Sequence, residues 1–371
     1  MNRRYFLFGT MAAAARPAFS QNTTASSDQV GVGIIGVGNR GSHTMRGVMD
    51  QPGVTVRAIC DIKPDRLDKA ATAAASSNPR TFRDYKELLA QKDVDAVYIS
   101  TPCDLHVEMA IAALKAGKHV YLEKPVGITP ESISELVKVA KSAKPILHVG
   151  QQRRSEKRLQ STIQKLQDGA AGKIVMVKAQ RHAGNDLAHD GPSADWFFNS
   201  KRSGDVIVEM AVHNLDVCNW AIGSRPERAG GFGGNLVWVN DPPGRNTMDG
   251  YSLTYDYANG VKMSFTQVFF HPNGMPGGGQ YTYVYTDKGG VDLDSATFYP
   301  RERGATPVVL SEKVQENRNA HTEAFFDAIR NGKKSPADIS IGATAALTAI
   351  MGREAIYQKK TISWNDMRVN L

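Results

Sequence analysis

The sequence predicts two units in tandem. Residues 30–150 read as a doubly wound parallel α/β sheet, and residues 151–371 as an α+β unit, an open antiparallel sheet with helices on one face. Three observations carry this. The apolar run Val30–Ile35 leads directly into the glycine pattern Gly36-x-Gly38-x-x-Gly41. Apolar runs then alternate with helix-like segments as far as Gly150. Beyond Gly150 the rhythm becomes strand after strand, joined by turns that contain glycine.

The first unit can be read element by element. Val54–Cys60 is a second strand and ends at Asp61, twenty residues after Gly41. Pro64–Ser76 is Ala-rich and helical, and Asp84–Leu89 is a short helix. Val94–Ser100 is a buried strand. Pro102–Ala116 is a helix that opens on proline and stops at Gly117. Lys118–Leu122 is a strand, Thr129-Pro130-Glu131 opens a capped helix, and Ile146–Val149 closes the sheet.

In the second unit, Ser155–Gln167 and Ser203–Ile222 read as helices. Strand patterns cover Lys173–Arg181, Tyr251–Tyr257, Val261–Phe270, Gln280–Thr286 and Val291–Phe298. Asn259-Gly260 and Gly289-Gly290 are the turn signals, and Asn317–Arg330 and Ile339–Tyr357 are terminal helices.

Composition narrows the function. Over 371 residues, 41% hydrophobic and 22% charged content suits a globular protein and excludes a disordered or membrane-embedded one. The net charge of +8 is scattered, with no basic stripe interleaved with aromatics, which argues against nucleic acid. Arg3, Arg4 and Arg16 carry three of the positive charges. Arg3-Arg4 precedes a short apolar stretch and the small residues Ala18-Phe19-Ser20. This pattern resembles a twin-arginine export signal, so residues 1–29 are expected to be signal and lead-in, with no membrane anchor. Cys60, Cys103 and Cys218 are odd in number and widely spaced, so no disulfide framework is implied.

The glycine pattern supplies a chemistry. Gly36 makes a tight turn, Gly38 lets backbone approach a pyrophosphate, and Gly41 lets helix and strand pack closely. Asn39 and Arg40 fill the loop between them. Asp61 is placed to bind a ribose 2′-hydroxyl and to repel a 2′-phosphate. The expected cofactor is therefore NAD rather than NADP, with Arg40 and Arg66 the only local counterweights. Lys124 follows a parallel strand at its carboxyl end, where open α/β sheets bind ligands. Glu209, His213 and Asp216 fall on one face of a helix, so His213 could take a hydroxyl proton while a carboxylate fixes its tautomer. The same spacing also suits a structural His–Asp pair. His182 and His189 lie in a polar loop just before Asp195-Trp196. Their spacing matches no compact metal motif, and Trp196 suits stacking on a sugar ring. Gln151-Gln152-Arg153-Arg154 follows the last parallel strand and reads equally as a solvated turn.

Ser100-Thr101-Pro102-Cys-Asp-Leu-His106, Ala116-Gly117-Lys118-His119-Val120 and above all Glu123-Lys124-Pro125 resemble the glucose–fructose oxidoreductase/inositol dehydrogenase/rhizopine-catabolism (Gfo/Idh/MocA) family. So does the stretch Ser203–Asp216, although Glu209 stands where that family has Asp and its usual run of glycines is reduced to Ser203-Gly204. The resemblance implies a nicotinamide cofactor and a sugar or polyol substrate. It implies cofactor contacts from Thr101, Pro102, His106, Glu123 and Lys124, with Lys124 positioning the reacting hydroxyl and His213 catalytic. Gln152 and Arg153 would line the nicotinamide end, joined in the substrate region by His182, Trp196 and Asp216. The leading expectation is a carbohydrate oxidoreductase with tightly held cofactor. A redox-neutral NAD-dependent glycosidase resembles exported relatives, but their Tyr-x-x-His is absent, with Met210 in the tyrosine's place. A non-catalytic sugar or nucleotide sensor is the third reading. Alternation at Tyr281, Tyr283 and Tyr285 suggests homodimers or homotetramers through the second sheet.

Overall fold

The computed structural model describes residues 29–184 and 194–371. The export-signal expectation and His189 lie outside these residues. Strands β1 (Val30–Ile35), β2 (Val54–Cys60), β3 (Arg80–Phe82), β4 (Ala96–Ile99), β5 (His119–Leu122) and β6 (Leu147–Val149) form a parallel sheet. Its order is β3-β2-β1-β4-β5-β6. The order reverses beside β1, so the strand ends of β1 and β4 open the crevice where ligands bind in such sheets. The three-residue edge strand β3, mostly exposed, shows no periodicity from which to read it.

The second sheet holds β7 (Ile174–His182), β8 (Pro226–Gly234), β9 (Gly250–Tyr257), β10 (Lys262–Val268), β11 (Gly279–Thr286), β12 (Gly289–Asp292), β13 (Thr297–Pro300), β14 (Val308–Val309) and β15 (Ile362–Ser363). It is mixed rather than antiparallel throughout, because β7 and β10 run parallel at its centre. The turn expected at Gly289-Gly290 falls two residues earlier, and the run Val291–Phe298 breaks into β12 and β13 around Ala296, at φ +54°. Strand β8 carries no readable strand pattern because four of its nine residues are glycine; close backbone packing explains two of them, since a Cβ on Gly231 would lie 2.3 Å from the Ser252 carbonyl oxygen and one on Gly233 2.6 Å from the Gly250 carbonyl oxygen.

The single helix expected over 203–222 is three pieces. A short helix Ser200–Ser203 ends at Gly204 and Asp205, both with positive φ. A π-helical turn, Ile207–Ala211, follows, and then the α-helix Val212–Ile222. The buried Asp205 carboxylate holds this break: it accepts from the Tyr251 and Tyr357 hydroxyls and from the Val206 and Met248 amides. The helix Ile339–Tyr357 is long and apolar enough to cross a membrane, yet it is a core helix, largely buried against the Gly204 turn, β6 and β8. All three cysteines are free and buried.

Candidate active site

A cleft of about 510 Å³ opens at the carboxyl ends of β1, β2, β4 and β5, with Trp196, Phe197 and Arg202 on its far wall. Gly36, at φ +83°, has no room for a side chain: a Cβ there would lie 2.8 Å from the Ser100 carbonyl oxygen. A Cβ on Gly41 would lie 1.8 Å from the Gly36 carbonyl oxygen. The helix Asn39–Met49 begins at this loop with no side-chain cap and no acid in its first turn, so its positive end is left for an anion. Ser100 Oγ and Thr101 Oγ1 are buried at the cleft without a partner. These features fit a dinucleotide pyrophosphate.

Asp61 is held rigidly at the rim of the cleft. Its carboxylate accepts from the Val37 amide at 2.9 Å and the Lys63 amide at 2.9 Å. Arg40 is committed elsewhere: its Nε donates to buried Glu123 at 2.7 Å. Arg66 lies across Gly38. Thr101, Pro102 and His106 also line the cleft. His106, however, is buried with both ring nitrogens against backbone oxygens, Pro125 at 2.7 Å and Thr101 at 2.9 Å. It braces the turn that carries Lys124, whose peptide bond to Pro125 is cis.

Lys124 Nζ donates to Glu209 Oε1 at 2.5 Å and to the Glu209 carbonyl at 2.7 Å. The two side chains, 14% and 15% exposed, face the cleft together. The expected link from Glu209 or Asp216 to His213 is not made. The π turn moves Glu209 off the helical register of His213. Asp216 is buried in a two-point ion pair with Arg154, at 2.9 and 2.7 Å. His213 keeps a buried Nδ1 with no partner. Burial, reinforced by the cations Lys124 and Arg181, holds its imidazole well below the usual range, so it is neutral at pH 7.

The remaining substrate candidates separate. Trp196 lines the cleft. Arg153 pairs with Asp294 at 3.0 Å and Glu156 at 3.4 Å. Gln152 turns to His321, 3.4 Å away. His182 ends β7 on the outer face, bonded to Thr266 Oγ1 at 2.9 Å. One residue earlier, Arg181 faces inward, a residue the sequence reading passed over although the β7 alternation contained it. Among the described residues no three His, Cys, Asp or Glu side chains group to hold a metal.

A doubly wound sheet with an uncapped glycine loop, a buried acid at the end of β2 and a lysine just past the end of β5 has the form of a dinucleotide-dependent oxidoreductase fold. Sequence profiles of one family match both units: its oxidoreductase NAD-binding Rossmann domain over residues 30–151 and its C-terminal domain over 160–292. The chain belongs to the Gfo/Idh/MocA family.

Among curated relatives, a glycosyl hydrolase family 109 protein of Saccharopolyspora erythraea is 40% identical over 117 residues, 30% of this chain and 26% of that protein. An inositol 2-dehydrogenase of Salmonella typhimurium is 29% identical over 196 residues, 51% of this chain and 54% of that one. The chain thus matches about half or less of the length of these relatives. The solved scyllo-inositol dehydrogenase of Lactobacillus casei, with bound NAD(H) and scyllo-inositol, superposes with TM-score 0.72 at 20% identity, covering 90% of this chain and 99% of that one. That likeness is one of fold.

Proposed function

We propose that this protein oxidises a secondary hydroxyl of a sugar, polyol or glycoside, using NAD. The observation that carries the reading is the Lys124–Glu209 pair, set at a strand end in the same cleft as the glycine loop. The bound dinucleotide would supply a hydride acceptor. The backbone around Gly36, Gly38 and Gly41 and the helix after it would hold its pyrophosphate, and Asp61 its ribose. Asp61 and the engagement of Arg40 by Glu123 both favour NAD over NADP. Lys124 would hold the reacting hydroxyl oxygen, its ammonium stabilising negative charge there, while Glu209 fixes the ammonium in place. Neutral His213, with Nδ1 unpaired, is the group free to take the hydroxyl proton. Trp196 would stack on the sugar ring.

The twin-arginine pattern at Arg3-Arg4 supports export, and with it a cofactor that stays bound and is reset within each cycle. The outer face of the second sheet, with Tyr281 and Tyr283 stacked at 4.3 Å and Tyr285 exposed, supports pairing of subunits; a monomer by light scattering would refute it. One finding favours a second reading, a redox-neutral glycosidase: the 40% identity to a glycosyl hydrolase family 109 protein. Cleavage of a glycoside without net sugar oxidation would decide for it. Lys124→Ala tests the main reading. NAD binding should persist while turnover falls by about 10²-fold or more; unchanged turnover removes Lys124 from the mechanism.

A further inference from the structure

The inner face of the second sheet carries a guanidinium with one edge unused. Arg181 shares the face of Val177 and Ala179, both buried. The register sets Gln267 of β10 beside it on one side and Gln280 of β11 on the other. Arg181 Nη1 donates to Gln280 Oε1 at 3.1 Å, while Nε is buried with no partner. Arg181 makes no ion pair with a carboxylate of the described residues, whereas Arg40, Arg153, Arg154 and Lys124 each do. Burial lowers the guanidinium pKa, opposed only by the Glu209 charge, which is the mark of an uncompensated cation.

The neighbours are also unsatisfied. Both amide atoms of Gln267 and the Thr282 hydroxyl, on fully buried side chains of this face, have no partner, and neither has His213 Nδ1 on the helix packed over β7. A buried polar group left without a hydrogen bond is destabilising. Several on one face of the sheet mark a polar place whose donors and acceptors the protein itself leaves unpaired. The charge decides which ligand. The free Nε edge of a guanidinium is a planar fork that matches a carboxylate with two parallel hydrogen bonds.

We propose that Arg181 receives the carboxylate of an acidic carbohydrate, a uronate. This rests on the reading of the site as a carbohydrate oxidoreductase and narrows its substrate class. A sugar phosphate can also take one edge of the fork, but it carries up to two negative charges on three terminal oxygens and so calls for more donors than this one guanidinium supplies.

The test is calorimetric titration of the NAD-saturated protein with D-glucuronate and D-galacturonate, their parent hexoses, myo-inositol and the hexose 6-phosphates. NAD reduction is followed in parallel. The expected result is that a uronate binds at least 10-fold more tightly than its parent hexose and than any phosphate. Arg181→Gln should abolish that preference, and Arg181→Lys should retain part of it. A hexose, inositol or hexose phosphate binding as tightly as every uronate, or no uronate binding, overturns the proposal. The wild-type comparison stands even if Arg181→Gln does not fold. A uronate preference with NAD reduced by no sugar of the panel would refute the redox reading and leave the carboxylate site standing. Oxidation of a neutral sugar with no uronate preference would do the reverse.

Discussion

Replacing Glu209 with aspartate withdraws its carboxylate by one methylene, about 1.5 Å. The Lys124 Nζ–Oε1 distance of 2.5 Å then becomes about 4 Å, outside hydrogen-bond range. At an effective dielectric of about 20, the attraction between the two charges weakens by about 2.5 kcal/mol over that change. Both side chains are only 14% and 15% exposed, so solvent recovers little of it. Nζ keeps its bond to the Glu209 carbonyl, at 2.7 Å, and stays tethered but loosely aimed. If the pair acts by fixing the ammonium against the hydroxyl oxygen, kcat for NAD reduction should fall about 70-fold in Glu209→Asp. Affinity for NAD should change less than threefold, because the glycine loop and Asp61 are untouched. A Glu209→Asp enzyme with kcat within threefold of wild type would refute the argument that reach, and not charge alone, sets this corner of the site.

Two further outcomes follow from the geometry. Asp61→Ala strands the Val37 and Lys63 amides and removes the ribose acceptor; NAD affinity should drop at least about 10-fold and the NAD/NADP preference should collapse, measured by fluorescence titration. Burial pushes His148 down to about 3 and His321 to about 4, so the unfolded chain takes up their protons first. Their contribution to stability is complete above about pH 6.5 and is lost as pH falls from there toward 4, by up to about 1.4 kcal/mol per pH unit for each histidine. Urea unfolding at pH 7 and pH 5 should show this, and His148→Phe, which can keep the stack on Tyr121, should flatten the slope; an unchanged slope contradicts it.

What could be read from the sequence was local. The turn at Gly36, the close approach at Gly41 and the acid at Asp61 lie within one strand–helix–strand stretch, and each leaves its mark in residue type. The Lys124–Glu209 pair joins residues 85 apart, and nothing in either segment announces the other. The π turn that moves Glu209 away from His213 depends on the Asp205 knot, whose hydroxyl partners Tyr251 and Tyr357 come from β9 and the last long helix. Spacing alone therefore predicted a shared face that the backbone does not keep. His182 was legible as a polar residue near the site, but strand parity turns it outward and Arg181 inward. That distinction required the register of β7 against β10 and β11.

The most direct test of the central claim is the near-ultraviolet spectrum of the NAD-loaded protein before and after mixing with a panel of neutral and acidic sugars and glycosides. Oxidation at the Lys124 site predicts that at least one carbohydrate generates the absorbance of reduced nicotinamide, with oxidised sugar formed, and that Lys124→Ala abolishes it while retaining NAD. A protein that binds NAD but reduces it with none of them, or does so equally well without Lys124, would contradict the account.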